Sequence, residues 1–137
     1  MRKIVLMIAA ALALVSCNPE IRSARGLAKR ILGEKASAVR FELLEDTQKD
    51  TYELETVGSK VVIRGNNANS MAVGLNRYLQ EYCLANVSWY DYNPVELPQT
   101  MPSVPSKIRV EAAVPQRFFL NYCTFGYTMP WLSLIHI

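Results

Sequence analysis

Five prolines between residues 94 and 115 limit where this chain can build a regular fold. Proline has no N–H for a sheet ladder and disfavours a helix, so this stretch predicts an extended connector. Within it, Lys107–Glu111 is compatible with one edge strand, and we expect a domain boundary near residues 112–116. The packed core must therefore come mainly from the residues before the connector. The five prolines are Pro94, Pro98, Pro102, Pro105 and Pro115.

Length adds a second limit. The whole chain has 137 residues, whereas a (β/α)₈ barrel takes roughly 250. A complete enzyme barrel is therefore excluded from this sequence, and one small domain is the expected unit.

The first sixteen residues are typical of an export signal. Arg2 and Lys3 precede an uncharged run, Ile4–Val15, which is too short for a membrane-spanning helix of about 20 residues and fits a secretory signal. The run ends in the sequence LVSC, which resembles the bacterial lipobox. That resemblance implies cleavage before Cys17 and a lipid anchor on this residue. An ordinary signal peptide with an incidental cysteine is the alternative.

Location and charge follow from removing this signal. Asn18 is not the Asp that typically retains lipoproteins in the inner membrane, so we expect an outer-membrane lipoprotein on its periplasmic or cell-surface face. Counted from residue 17, the chain has 13 basic and 12 acidic residues. This near balance argues against nucleic-acid binding driven by counterion release.

A helix is predicted at the start of the mature chain. Asn18 is a suitable N-cap, Pro19 fits the first helical position, and Gly33 is a natural stop. The basic residues on the opposite face are interpreted as a solvated surface. The apolar residues at helical spacing are Ile21, Ala24, Leu27, Ala28 and Ile31, and the basic ones are Arg22, Arg25, Lys29 and Arg30.

Three short strands are predicted next, at Ala38–Glu42, Thr51–Val57 and Lys60–Arg64. In the second, alternation places the two glutamates on the face opposite the tyrosine and leucine. Gly58-Ser59 fits a two-residue hairpin turn, and Glu45–Asp50 is predicted to be a loop.

A second helix follows the turn-and-cap cluster Asn66–Ser70. Its apolar residues recur at helical spacing, and Gly74 lies beside them, where it would permit close approach to the sheet. Val87–Tyr90 is a further predicted strand. Together these patterns predict an α/β fold of the α+β kind: a two-layer domain with helices packed on a short, mostly antiparallel sheet. The apolar positions of the second helix are Met71, Leu75, Tyr78, Leu79 and Tyr82.

The cysteines leave two readings open. If Cys17 carries lipid, Cys83 and Cys123 could pair in an exported protein, or Cys83 could be a small buried apolar residue. With one histidine in the chain, these residues do not form a zinc site, and no metal or other cofactor is expected.

Aromatic residues crowd the segment after the connector. Six of the chain's 13 aromatic residues lie between positions 118 and 131, where a buried strand would use them but has few residues left to pair with. The run Arg117–Trp131 (RFFLNYCTFGYTMPW) resembles the opening of the catalytic barrel in α-N-acetylglucosaminidases, glycoside hydrolase family 89. Upstream, Arg64-Gly65, the helix segment Ala72–Leu79 (AVGLNRYL), the strand VSW and the proline-rich connector occur in the order found in that family.

The resemblance implies an exo-acting, retaining bacterial enzyme that removes terminal α-linked N-acetylglucosamine from glycans without a metal. It places Asn121 and Cys123 in the sugar pocket and Tyr127 at its edge. Asn121 and Cys123 are two residues apart, so they would share a strand face. The family's two catalytic glutamates match none of the acids in this chain, so no catalytic residue is assigned.

We therefore expect four parts: a lipoprotein signal at 1–16, an N-terminal α/β domain at 17–111, the first strand of a missing (β/α)₈ barrel within 112–131, and a tail at 132–137. The tail departs from the family and is interpreted as foreign, so His136 receives no role. The chain is expected to be an inactive fragment. The alternative is a complete small lipoprotein that binds glycan or protein.

Overall fold

The computed structural model describes residues 18–45, 47–87 and 95–115. Two helices pack on one face of a four-stranded mixed sheet, which confirms the predicted fold class. Both helices and the strands contribute to one apolar cluster. The elements are α1 (Pro19–Leu32), a 3₁₀ helix (Gly33–Ala38), β1 (Val39–Leu43), β2 (Thr51–Val57), β3 (Lys60–Gly65), α2 (Ala68–Glu81) and β4 (Ile108–Glu111).

Helix α1 begins and ends where the sequence predicts. The Asn18 side chain accepts a hydrogen bond from the Glu20 N–H at 2.9 Å, and Gly33 ends the helix with a φ of 58°. A positive φ of this kind favours glycine. The predicted apolar face is buried along one stripe, although Leu27 and Ile31 are half-buried at its margin. The fully buried residues of α1 are Ile21, Ala24, Ala28 and Leu32.

The sheet has the strand order β1-β3-β2-β4. Strands β2 and β3 form the predicted hairpin, with Gly58 in its turn at a φ of 62°. Strand β3 lies between β1 and β2. It runs parallel to β1 and antiparallel to β2. Since β4 is antiparallel to β2, two of the three pairings are antiparallel, as predicted.

Helix α2 is tied to the sheet through its first turn. Asn67 caps it by accepting from the Ser70 N–H at 2.8 Å, and Glu20 of α1 accepts from the Ala68 N–H at 2.5 Å. Asn66 accepts from the Thr51 N–H at the start of β2. The cap cluster therefore joins α1, α2 and β2 at one corner. The predicted apolar face is buried at Met71, Leu75, Tyr78 and Leu79, with Tyr82 half-buried.

Residues 95–107, which we call the strap, cross the domain and lead into β4. The Lys35 ammonium donates to the Pro98 carbonyl at 2.7 Å, and the Tyr78 hydroxyl donates to the Pro102 carbonyl at 2.7 Å. The Val104 N–H donates to the Thr56 hydroxyl at 2.7 Å, and Val104 itself is buried in the core. The proline-rich connector therefore completes the core as well as connecting elements, which its composition does not reveal.

The remaining sequence predictions are confirmed, are wrong in part, or concern residues outside the described part of the chain. Strand β4 forms at Ile108–Glu111, within the predicted edge strand. Of the predicted strand Val87–Tyr90, Val87 is exposed and not in a strand, and the other three residues lie outside the described part. Cys83 is buried, as one reading proposed. The signal, nearly all of the segment 112–131 and the tail lie outside the described residues. Among the residues described, no helix is long and apolar enough to cross a bilayer.

Candidate functional site

The four residues predicted to bind sugar or lipid lie outside the described residues. Asn121, Cys123 and Tyr127 belong to the segment after Pro115, and Cys17 precedes Asn18. Their roles stay predictions. The structure does describe the upstream motif residues and an extended charged surface, which were not assigned a function from sequence.

Two glycines of the family motif, Gly65 and Gly74, lie where helix α2 packs closely against the sheet. A Cβ on Gly65 would lie 2.8 Å from the backbone N of Met71, where β3 turns into α2. A Cβ on Gly74 would lie 2.9 Å from Cγ2 of Ile63 and 3.2 Å from the Tyr52 ring. The predicted close approach of α2 to the sheet at Gly74 is confirmed. Both glycines therefore set how near α2 lies to β2 and β3.

A row of alternating charges crosses all four strands on the sheet face opposite the helices. The strand register aligns Glu42 of β1 with Arg64 of β3, Arg64 with Glu53 of β2, and Glu53 with Arg109 of β4. We call these four residues, with the adjoining Glu55 and Lys107, the charged face. Cross-strand pairs of opposite charge stabilise a sheet, so this row ties the four strands together.

Glu53 is the most buried charged residue of this surface, with 4% of its area exposed. Its carboxylate lies 2.8 Å from the Lys107 ammonium, 2.8 Å from the Arg109 guanidinium and 3.7 Å from that of Arg64. Burial opposes the charged form, but the hydrogen bonds from Lys107 and Arg109 outweigh it and hold the pKa of Glu53 below its usual range. Glu53 therefore stays ionised near neutral pH.

Arg64 joins three carboxylates from two neighbouring strands. Its Nε donates to Glu42 at 2.7 Å, and its Nη1 donates to Glu55 and lies near Glu53. Burial disfavours its charge, but the bonds to Glu55 and Glu42 prevail and raise the pKa of Arg64. Val62 is fully buried on the same face, flanked in the register by Arg40 and Glu55. Long charged side chains thus shield an apolar residue, as their stems commonly do.

A cavity of about 510 Å³ opens beside this row, between the loop after β1 and the end of the strap. Its lining is mostly charged and polar, and its buried carboxylate, Glu53, does not suit the role of a general acid. A general acid must hold a proton near the working pH, whereas Glu53 is kept ionised. Within the described residues, no three His, Cys, Asp or Glu side chains gather as metal ligands would. The lining residues are Leu44, Glu45, Thr47, Glu53, Arg64, Lys107 and Arg109.

Sequence reasoning did not identify the charged face as a unit. Alternation in β2 correctly separated Glu53 from the apolar side, but the cations that contact Glu53 come from β3, the end of the strap and β4. Arg109 lies 56 residues further along the chain. The signal that could have found the pair is the alternation of Lys107 and Arg109 along the predicted edge strand, which is opposite in charge to the glutamates that alternate along β2.

Comparison with known proteins identifies relatives of the whole domain. Residues 22–103 match the family model described as the alpha-N-acetylglucosaminidase (NAGLU) N-terminal domain. The human alpha-N-acetylglucosaminidase is 31% identical over 118 residues, covering 82% of this chain and 16% of the human protein. The chain therefore spans about a sixth of the length of this curated relative.

Solved structures of a family 89 glycoside hydrolase from Clostridium perfringens are similar in fold. One, a doubly substituted variant in complex with its substrate GlcNAc-alpha-1,4-galactose, has a TM-score of 0.70 at 33% identity, covering 80% of this chain and 13% of that one. Another, in complex with 2-acetamido-1,2-dideoxynojirmycin, has a TM-score of 0.66 at 34% identity, with the same coverage. The resemblance first seen in the motifs is thus confirmed, and the chain belongs to the α-N-acetylglucosaminidase family, glycoside hydrolase family 89, as its N-terminal part.

Proposed function

We propose that this chain is the N-terminal part of an exo-acting, retaining glycosidase that removes terminal α-linked N-acetylglucosamine, and that by itself it does not hydrolyse glycans. The match of residues 22–103 to the family's N-terminal domain carries the proposal. In this proposal the described domain acts as a scaffold beside a catalytic barrel, and the barrel supplies the chemistry.

The charged face supports the proposed lack of activity. A retaining glycosidase needs two carboxyl groups ~5–5.5 Å apart, one ionised nucleophile and one protonated acid. On this face Glu42, Glu53 and Glu55 all lie near Arg64. The hydrogen bonds from Lys107 and Arg109 hold the pKa of Glu53, the most buried of the three, below its usual range, so Glu53 does not suit the acid's role.

The proposed sugar contacts lie after the strap. Asn121 would offer an amide donor and acceptor to a hydroxyl or acetamido group, Cys123 a small wall beside it, and Tyr127 an edge. The ligand to try first is GlcNAc-α-1,4-galactose, because it is the substrate bound by the Clostridium perfringens relative.

A chromogenic α-N-acetylglucosaminide tests this proposal. We expect the purified chain 17–137 to release no chromophore above a buffer blank, while a complete family 89 enzyme assayed in parallel releases it. Hydrolysis by the chain itself would overturn the proposal that this domain is a scaffold and that a separate barrel performs catalysis. Calorimetric binding of GlcNAc-α-1,4-galactose without hydrolysis would instead favour the alternative function, a glycan-binding lipoprotein.

We also propose that Cys17 carries the lipid anchor and that the mature protein is an outer-membrane lipoprotein. The sequence LVSC after an uncharged run supports this. Labelling with radioactive palmitate in a bacterial host should mark the native chain and a Cys83→Ser control, but not Cys17→Ser. The Cys17→Ser chain should also leave the membrane fraction. Labelling that survives Cys17→Ser would refute the anchor.

A further inference from the structure

A groove lies between α2 and the edge strand β4, on the helix side of the sheet. Val110 of β4 is opposite Tyr52 in the strand register, so the two side chains share one face of the sheet. The Tyr52 ring packs beside Gly74 of α2, which identifies this face as the helix side. Val73 of α2, Tyr52 and Val110 all line the groove, whose volume is about 320 Å³.

The groove leaves apolar side chains exposed that the rest of the described domain does not cover. Val73 is 48% exposed and Val110 is 37% exposed. Val114, which directly follows the groove residues Ala112 and Ala113, is 50% exposed. Apolar residues that cluster on a surface, unlike scattered ones, are typical of an interaction site. The groove is therefore suited to an apolar occupant.

The chain passes this groove as it leaves the domain. The Ala112 N–H donates to the Asp50 carbonyl at 2.8 Å, which holds the residues after β4 beside the start of β2. Ala112 and Ala113 then line the groove itself, and the described residues end at Pro115. Phe118 is five residues after Ala113, so its Cα lies within roughly 18 Å of that residue by any path.

The sequence that follows Pro115 has the composition that this groove would bind. Residues 116–122 (QRFFLNY), which we call the entry segment, contain four large apolar or aromatic side chains and a single charge, on Arg117. A short tether holds such a segment at a local concentration on the order of millimolar, so weak apolar contacts suffice to dock it. A second copy of the chain, or another protein, would have to displace it.

We propose that the entry segment packs into the groove between α2 and β4, with its apolar side chains against Val73 and Val110. The start of the barrel is thereby fixed against the N-terminal domain. This inference rests on the proposed scaffold function, because it names the surface that the first residues of the barrel contact. Strand alternation would direct Phe118 and Leu120 away from the proposed sugar contacts, so docking and sugar binding are compatible.

Trypsin cleavage after Arg117 tests the docking in the chain 17–137, carrying Cys17→Ser so that no lipid is present. The initial release of residues 118–137 is followed by mass spectrometry and compared with cleavage of a synthetic peptide of residues 112–124 at the same site. Cleavage tracks the open population when a segment opens and closes quickly, so we expect the chain to be cut at least about tenfold more slowly than the peptide. Cleavage at the peptide's rate would overturn the proposal.

Matched variants locate the contact. Val73→Gln replaces an apolar side chain of the groove, while Val57→Gln makes the same change at the hairpin, outside the groove, where the valine is 45% exposed. Loss of the Val73 contact should speed cleavage about fivefold, whereas Val57→Gln should leave the rate unchanged. Val110→Thr, which keeps the shape of the side chain, should act in the same direction as Val73→Gln. Circular dichroism checks that all three variants fold, and equal rates in the groove and hairpin variants would refute docking at this groove.

Two further comparisons separate the possible outcomes. Docking within one chain protects Arg117 equally at low and high protein concentration, whereas protection confined to high concentration would assign the groove to a second copy and overturn the proposal. Hydrolysis of the chromogenic substrate by the chain would refute the scaffold function but leave the cleavage comparison valid. Cleavage at the peptide's rate without hydrolysis would refute the docking alone.

Discussion

The two faces of the sheet are stabilised in different ways. On the helix side, Leu54 and Ile63 pair across strands with no exposed surface, and α2 approaches closely at Gly74. On the other side, Glu53 and Arg64 face each other at the next position of the same two strands, and each forms ion pairs with further charged residues. Apolar contacts need only burial, whereas the charged face needs each group to meet its opposite.

This difference teaches which changes each face should tolerate. Removing apolar volume on the helix side leaves a cavity, because the surrounding groups are fixed from several directions. Removing a charge on the opposite side leaves partners such as Lys107 and Arg109, which are half exposed and can regain water. We therefore expect the helix side to be the more sensitive face.

The largest effect is expected for Ile63→Ala. Ile63 is fully buried between β1, β2 and α2, so truncation should lower the free energy of unfolding by about 2–5 kcal/mol. Urea denaturation of the chain measures this. Val57→Ala, at an exposed position of the same sheet, is the control and should stay within about 0.5 kcal/mol. Similar losses for both variants would contradict the proposed contrast.

A smaller loss, about 1–3 kcal/mol, is expected for Gly65→Ala. The added methyl group would meet the Met71 backbone at 2.8 Å, which forces the start of α2 to move. Gly26→Ala is a matched control with the opposite sign. Its Cβ would meet only the end of Arg30 at 3.5 Å, and alanine in a helix interior gains about 0.5–1 kcal/mol over glycine. Thermal melting of both variants should show shifts in opposite directions.

On the charged face, Glu53→Gln should destabilise the chain by about 1–2 kcal/mol, below the loss usual for a fully buried pair because Lys107 and Arg109 can be rehydrated. Glu111→Gln makes the same chemical change at the exposed pair with Lys49, 3.3 Å away. That control should cost at most about 0.5 kcal/mol. If the two variants lose equal stability, burial of Glu53 does not set its contribution.

Lowering the pH should remove part of the stability that ionised Glu53 contributes to the folded chain. This is the smallest effect of the series. The pKa of Glu53 is lower in the folded chain than in the unfolded one, so its carboxylate adds stability above a pH of about 4.3. That contribution fades as the pH falls through the folded pKa. Urea midpoints measured from neutral pH downward should fall less steeply for Glu53→Gln than for the unsubstituted chain. Parallel curves would contradict this.

Local features of the sequence predicted most of the elements. The Asn18 cap and the Gly33 stop gave the limits of α1, and the Gly58-Ser59 pair gave the hairpin. These signals succeed because the residues that decide each feature lie within a few positions of one another. The predicted edge strand near Lys107 is also confirmed. Its start could be predicted locally, because Pro105 lies just before it.

Features that depend on distant residues were not predicted. The insertion of β3 between β1 and β2 depends on how three strands share the apolar layer, which no single strand pattern encodes. The burial of Glu53 depends on Arg109, 56 residues later. The sugar-binding roles of Asn121, Cys123 and Tyr127 and the lipidation of Cys17 lie outside the described residues and stay predictions. The charged face joins residues from four strands, and only the strand register reveals that they are neighbours.

The edge position of β4 has a consequence for the order of folding. Both helices and the other three strands are complete by Glu81, whereas the residues that pair with the outer side of β2 come at Ile108–Glu111. A chain that folds from its N-terminus can therefore assemble most of the core while β2 still has an open edge, and an unpaired edge invites association with other chains. We expect a chaperone that shields strand edges to protect this domain until the strap docks.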